Sequence, residues 1–320
     1  MKKNFITFLI LFIFFLMLAK MNITKEYALK GLTLWLFTIL PTLLPFSIIS
    51  SILINIDVFS KPLILIKNIT KINFNEHIPF IIICGLFCGC PISAKLANDT
   101  YKANKINKHT ATFLACSLSN LSPAFIINFA LPSLINIHTR ISMFLIIIIS
   151  NIISTYFVMK YYKISEIYIS SKNILSKNKL VSYNNNLSNQ TILSKFPDKL
   201  TDIFEKCILS SLIVQAKVGG YIIIFSCISG LFCQTLNLHP SFSMILSSTL
   251  EISSGINTYN TFPLTTHYIS SLSGLISFGG ICTICQIISS TSDIDIPKKI
   301  LIYCKLLSSI ITYIVVLIIM

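Results

Sequence analysis

Four ionisable side chains stand in stretches that are otherwise apolar or small: Lys95, Asp99, Lys217 and Glu251. A charge at membrane depth costs about 2.5–3.5 kcal/mol on insertion scales, so it is kept where it lines a hydrated path or meets a partner. Lys95 and Asp99 are four residues apart, a spacing that puts both on one helix face and lets each neutralise the other. That pair serves either a solute or only the structure, or it sits at the interface with Lys102. Lys217 precedes Gly219-Gly220; it either faces a path or snorkels to the surface. Glu251, in Leu250-Glu251-Ile252-Ser253-Ser254-Gly255, has no basic neighbour in sequence to balance it. It is the strongest candidate for charge balance or proton uptake.

Neutral donors and acceptors gather near the same places: Ser93, Ser119, Asn120, Ser122, Ser253, Ser254 and Gln286. They accompany residues that interrupt helices, namely Gly89-Cys90-Pro91, Asn120-Leu121-Ser122-Pro123 and Gly279-Gly280. An unwound helix exposes backbone N–H and C=O groups that lipid cannot satisfy. A helix N-terminus after Gly89-Cys90-Pro91 or after Ser253-Ser254-Gly255 would turn free N–H groups and a positive dipole end toward an anion. For any single serine, helix packing or a bond back to the preceding turn is the alternative.

Signatures of catalysis and of metal binding are poor. The histidines (His77, His109, His138, His239 and His267) are dispersed, with no His-Glu-x-x-His, no Gly-x-Ser-x-Gly and no phosphate loop. The sequence has 10 cysteines. Cys84-x3-Cys88-x-Cys90 and Cys282-x2-Cys285 imitate metal or redox spacing, but no histidine stands nearby. Packing as small hydrophobes is the plainer expectation. No catalytic residue, metal or cofactor is expected; an intramembrane enzyme stays as an alternative.

These residues must be held by membrane helices. The chain has 320 residues, 54% hydrophobic and 11% charged, with a mean hydropathy of +0.79. Soluble domains carry roughly 25% charged residues, so a soluble enzyme, a disordered protein and a coiled coil are excluded. Long apolar runs at Phe5–Ala19, Leu32–Ile56, Ile141–Val158 and Ile300–Met320 meet the length needed to span lipid or approach it. The expected fold is an all-α polytopic integral membrane protein. The net charge of +14 comes from scattered lysines, and Arg140 is the only arginine. With no basic stripe among aromatics, anionic lipid and not nucleic acid is the expected partner of these bases.

The breakers divide the chain. Residues 1–30 read as an N-terminal transmembrane helix and link; no small-x-small site follows Ala19, so an uncleaved helix with a cytoplasmic N-terminus is expected. Residues 31–160 read as a first half: a helix broken or kinked at Pro41 and Pro45, a discontinuous or re-entrant hairpin over Pro79–Pro132, and a plain helix over Arg140–Lys160. Straight spans are the alternative for the hairpin. Residues 57–76 form a polar connection with room for an interfacial helix. Residues 161–206 read as a polar linker whose end, Phe196–Leu209, suits an amphipathic helix on the membrane. Residues 207–320 repeat the grammar: a helix softened at Gly219-Gly220, two short apolar stretches broken at Ser253-Ser254-Gly255 and Phe278-Gly279-Gly280, and a plain helix over Ile300–Met320. The halves are repeat-like in hydropathy, parallel or inverted.

On these residues the chain resembles the sporulation integral membrane protein YlbJ family, whose core is the nucleoside recognition, or Gate, domain. The resemblance is carried by Leu40-Pro41-Thr42-Leu43-Leu44-Pro45-Phe46, Gly85–Leu96, Val218–Ser226, Leu250–Ile256 and Phe278-Gly279-Gly280, in family order from about residue 31 to the last residue. The chain departs from the family at Cys90, where a tyrosine is expected before the proline, at Asn120-Leu121-Ser122-Pro123, and in Gly279–Gln286, which has no histidine. The resemblance implies a multi-pass protein of the outer forespore membrane that moves a small anionic solute during endospore formation. The solute it implies is dipicolinic acid, a planar dianion suited to lysines and helix N-termini. It leaves as alternatives a structural protein of a sporulation complex, with copies of itself or other sporulation membrane proteins as partners.

Overall fold

The computed structural model describes residues 2–56, 77–132, 135–162, 196–236, 239–259 and 265–320. The expected polar connection at 57–76 and most of the 161–206 linker lie outside them. All regular structure among the described residues is helical. Six helices are long and apolar enough to cross a membrane: 21–53, 108–130, 137–161, 201–235, 266–290 and 298–319. The chain is an all-α multi-pass membrane protein. Helix α1 (Lys2–Ala19) is apolar and carries exposed Phe5, Phe8 and Phe15, and it parts from α2 (Met21–Leu34) at Lys20. Its described apolar stretch, Thr7–Ala19, is shorter than a full span.

The prolines do not break the helix. From α2 the chain passes through a π-turn, Trp35–Ile39, into α3 (Leu40–Ile56), which runs on through Pro41 and Pro45. A proline ring crowds the carbonyl four residues back and leaves it without a donor. A widened turn placed just before Pro41 relieves that crowding without stopping the helix. Gly219-Gly220 does not soften its helix either. Helix α9 (Phe196–Thr235) is continuous over 40 residues, and Phe196–Leu209 is its first part, not a separate surface helix. Gly219 admits the Trp35 ring, since a Cβ there would lie 2.6 Å from the ring's Cδ2. The indole Nε1 donates to Gln215 O at 3.0 Å.

Contacts between α2 and α9 fix their relative direction. Gln234 Nε2 reaches Tyr27, whose ring faces Gly230, Gly31 lies on Ile223 and Ser226, and Trp35 reaches Gln215. Numbers rise along one helix while they fall along the other, so the two run antiparallel. Each then leads into the same series of elements. After α3 come α4 (His77–Cys88) and α5 (Ile92–Lys102), of 12 and 11 residues. At 1.5 Å per residue they measure about 18 and 16 Å, against a hydrocarbon core of about 30 Å. Gly85 lies against Ser93, so the pair folds back as a re-entrant hairpin. A broken span follows, α6 (Lys108–Leu118) and α7 (Pro123–Phe125) running into the π-turn Ile126–Ala130, and then the plain α8 (Ile137–Tyr161).

After α9 the series recurs. Helices α10 (Pro240–Leu250) and α11 (Ile252–Tyr259) form the hairpin, with Gly255 against Ser248. Helices α12 (Thr266–Phe278) and α13 (Gly280–Ser290) form the broken span, and α14 (Lys298–Ile319) is plain. Because the leading helices are antiparallel, the second series is inverted with respect to the first, the alternative that hydropathy alone leaves open. Small side chains join the plain helices to the broken spans: Ser277 bonds Ser308, Ser309 bonds Gly274 O, and Asn151 bonds Ser277. With lipid on the outside, such close contacts and hydrogen bonds hold helices together where a hydrophobic drive is absent.

Gly255 marks the tightest crossing. A Cβ there would lie 2.6 Å from both Cα and N of Ser248, whereas one at Gly220 meets nothing within 4 Å. Gly255→Ala is expected to cost about 1–3 kcal/mol or more by overpacking. Gly220→Ala should be neutral or gain up to about 1 kcal/mol. Melting of the two purified variants in detergent, against wild type, measures the difference.

Candidate functional site

The two hairpin tips meet the two helix breaks. Cys90 N donates to Asn120 O at 2.6 Å, joining the tip between α4 and α5 to the break between α6 and α7. Gly89, at φ +69°, makes this approach feasible, because a Cβ would lie 2.6 Å from Asn120 O. In the inverted series, Gly279 and Gly280 take φ +80° and +83°, and a Cβ on Gly280 would lie 3.2 Å from Leu250 O at the other tip. Between these parts is a cavity of about 50 Å³ whose lining, half apolar, includes Thr42, Cys90, Ser122, Glu251, Ser253, Thr283 and Gln286. Liquid water occupies about 30 Å³ per molecule, so this space suits one or two waters.

Glu251 is 2% exposed and sits at the second tip. Its carboxylate accepts from Ser253 N at 2.9 Å and Ser254 N at 2.6 Å, while Ser254 Oγ donates to Glu251 O at 2.9 Å. This is an N-cap: an anion satisfies two of the otherwise unpaired N–H groups of α11 and faces its positive dipole end. The sequence offers those N–H groups to a ligand, and the structure corrects this. The chain's own carboxylate holds them.

Lys305 completes the centre, and the sequence reading misses it by treating Ile300–Met320 as a plain apolar helix. It is 1% exposed. Its Nζ donates to Ser119 O at 2.7 Å, Asn120 Oδ1 at 3.1 Å and Asn151 Oδ1 at 3.1 Å. Ser119 is the C-cap of α6, so the ammonium meets a carbonyl left unpaired where the helix stops, at the negative dipole end. The available signal was the polar stripe Lys305-Ser308-Thr312, spaced i, i+3, i+7 on one face of an apolar helix.

Other expected residues are divided between places. Ser93 and Ser119 are buried and bond each other at 3.0 Å, which is packing of α5 on α6. Ser122 caps α7 by accepting from Phe125 N at 3.3 Å. Gln286 bonds Cys282 Sγ at 3.3 Å and still lines the cavity. Thr283, not singled out in the sequence, joins it there. Pro91 precedes α5 as its N-cap residue. Lys95 and Asp99 act on each other as opposite charges without direct contact: among the described residues no carboxylate lies within 4 Å of Lys95 Nζ, which donates to Ser51 Oγ at 3.4 Å and Ser210 Oγ at 3.2 Å. Asp99 instead lines a second cavity of about 450 Å³ with Ser51, Thr100, Lys102, Lys105 and Ser210. Lys217 is exposed on the outside of α9 and joins neither cavity. The cysteines are free thiols, and among the described residues no three His, Cys, Asp or Glu side chains group to hold a metal.

No family model matches the chain, and no curated protein or solved structure does so. The likeness to the YlbJ family therefore rests on the residues quoted for it.

Removing the cap takes the carboxylate acceptor away from two N–H groups. Glu251→Ala is expected to cost about 1–3 kcal/mol, and Glu251→Gln less, because one carboxamide oxygen still accepts. Melting curves of the two variants in detergent check the order; equal stability of wild type and Glu251→Ala would remove the cap assignment.

Proposed function

We propose that this protein is a transporter of a small solute, worked by movement of the two hairpin tips about the central cavity. One observation carries the reading: two re-entrant tips and two helix breaks, from series of opposite orientation, meet around a buried cavity with half its lining polar. Breaking helices inside a membrane has a cost in backbone hydrogen bonds that unbroken spans avoid, and discontinuous helices of this kind line solute sites. The tips leave room for water alone, so a solute passes only when they part.

Helix α5 supplies the route. Cys90 borders the central cavity, Lys95 stands about one turn further on, and Asp99 and Lys102 line the larger cavity at the helix's far end. At that end Asn98 holds the turn between α13 and α14, accepting from Asp293 N and Ile294 N. The stretches joining helix ends on this face, 57–76 and 162–195, carry Lys61, Lys67, Lys71, Lys163, Lys172 and Lys177 among other bases. The stretches joining ends on the opposite face, 131–136, 236–239 and 259–265, carry neither Lys nor Arg, although Lys20, Lys25, Lys30 and Arg140 lie near it. The positive-inside rule favours a cytoplasmic side for the larger cavity.

The solute in this reading is a small anion. Lys95, Lys102 and Lys105 favour negative charge at the larger cavity, and Glu251 disfavours a dianion at the centre unless it takes a proton as the anion passes. The resemblance to the YlbJ family supplies the specific form: dipicolinic acid, moved from the mother cell across the outer forespore membrane, with no chemical step.

The test is dipicolinic acid content in spores lacking the protein, complemented with wild type, Lys95→Met or Glu251→Gln, with mother-cell acid and protein level assayed in parallel. The expected result is acid made in the mother cell, spore content at least about tenfold lower without the protein, and recovery with wild type only. Normal spore acid without the protein overturns the dipicolinate reading. Full recovery by both variants at equal protein level overturns the residue roles and favours a scaffold.

A further inference from the structure

Helices α3 and α9 each line both cavities: Leu43 and Val218 border the central one, Ser51 and Ser210 the larger one. Between those points the same helix faces are polar. On α3, Leu43, Ser47 and Ser51 follow at i, i+4 and i+8. On α9, Ser211 and Gln215 stand at i and i+4 from Val218 and Ile222 at i+7 and i+11, and both of the latter border the central cavity. Such spacings keep residues on one helix face. Ser47, Ser211 and Gln215 are at most 1% exposed, so the stripe faces protein and not lipid.

The stripe's polar atoms are bare. Ser47 Oγ, Ser211 Oγ and both Nε2 and Oε1 of Gln215 make no hydrogen bond. A hydroxyl can turn back to the carbonyl of its own preceding turn, so a solitary bare serine, such as Ser273 of α12, says little. A carboxamide brings two donors and an acceptor, and among the described residues Gln215 is the only buried amide bare at both ends. A buried polar group without a partner is costly, and is kept where another conformation supplies one. At the larger-cavity end, Lys95 Nζ bridges α3 and α9 by donating to Ser51 Oγ and Ser210 Oγ.

We infer that this stripe is the solute's passage between the two cavities. Helices α3 and α9 part along it, and its hydroxyls and amide bond a small carboxylate anion with the water that moves beside it. The Ser47 and Ser211 hydroxyls and Gln215 Nε2 donate to carboxylate oxygens, while Gln215 Oε1 accepts from water. Lys95, released from its two serines, meets the charge at the entrance. The nature of the solute rests on the transport reading above; the opening of the seam does not.

The full-length protein in lipid vesicles is given Ser47→Cys, Ser211→Cys or, for comparison, Ser273→Cys, whose position lines neither cavity. Each is treated with an ethylsulfonate methanethiosulfonate, itself a small anion, and labels beyond those on the native thiols are counted by intact mass. Ser47→Cys and Ser211→Cys are expected to gain a label at least about tenfold faster than Ser273→Cys, as a seam that opens locally requires. Equal rates at all three positions overturn the inference. Gln215→Leu removes the bare amide and should melt in detergent no lower than wild type, yet restore about tenfold less spore dipicolinic acid at equal protein level, the effect of one lost hydrogen-bonding group. A Gln215→Leu protein that melts well below wild type, or restores the acid fully, overturns the inference too. Normal acid in spores lacking the protein defeats the transport reading alone, and the labelling rates still decide whether the seam opens.

Discussion

A helix that stops halfway across a membrane leaves carbonyls at one end and N–H groups at the other, in a medium with no hydrogen bonds to offer. This constraint governs the centre of the protein, where two hairpin tips and two broken spans all interrupt their helices. Loose groups find partners either across elements or within their own turn. Asn120 O takes the N–H of Cys90 and Ser119 O takes the ammonium of Lys305. Ser253 and Ser254 give their N–H groups to Glu251, and Gly279 O takes the hydroxyl of Thr283. The tips approach the breaks because bonds across them replace those that the helices lost.

The buried charges of Glu251 and Lys305 follow from the same constraint. Glu251 stands at the start of α11 and Lys305 at the end of α6, so each faces the helix end of opposite partial charge. Neither needs the other. A neutral side chain could cap one group, but an ion offers bonds to two or three at once, and such charge-assisted bonds are stronger than neutral ones. The desolvation cost is offset by dipoles that the breaks create, which explains how a lysine without a carboxylate is accommodated at 1% exposure.

An arrangement tied in this way is closed yet divisible. The tips meet through a few polar contacts and glycines, with a 50 Å³ space between them, while the plain helices α8 and α14 and the antiparallel α2 and α9 form the surrounding frame. Lys95 bridges Ser51 of α3 and Ser210 of α9 beside the larger cavity, where parting of the tips would first admit a solute. These features are the ones on which the proposed parting of the tips rests.

Much of this was legible in sequence because lipid imposes a one-dimensional rule: spans need apolar length, and breakers inside them are conspicuous. The hydropathy runs gave the membrane class, and Gly89-Cys90-Pro91, Glu251-Ile252-Ser253-Ser254-Gly255 and Gly279-Gly280 marked the interruptions. What the breakers do locally was not legible: a π-turn at Trp35–Ile39 precedes Pro41 in an unbroken helix, and Gly219 admits the Trp35 ring. The inversion was hidden because hydropathy has no direction; only the pairing of Tyr27 with Gln234 and Trp35 with Gln215 supplies one. The partners of the charges were hidden for a like reason. Glu251 looks unpaired until its helix forms two residues later, and Lys305 meets oxygens more than 150 positions away. Sequence determines which groups must be satisfied; distances set by packing decide what satisfies them.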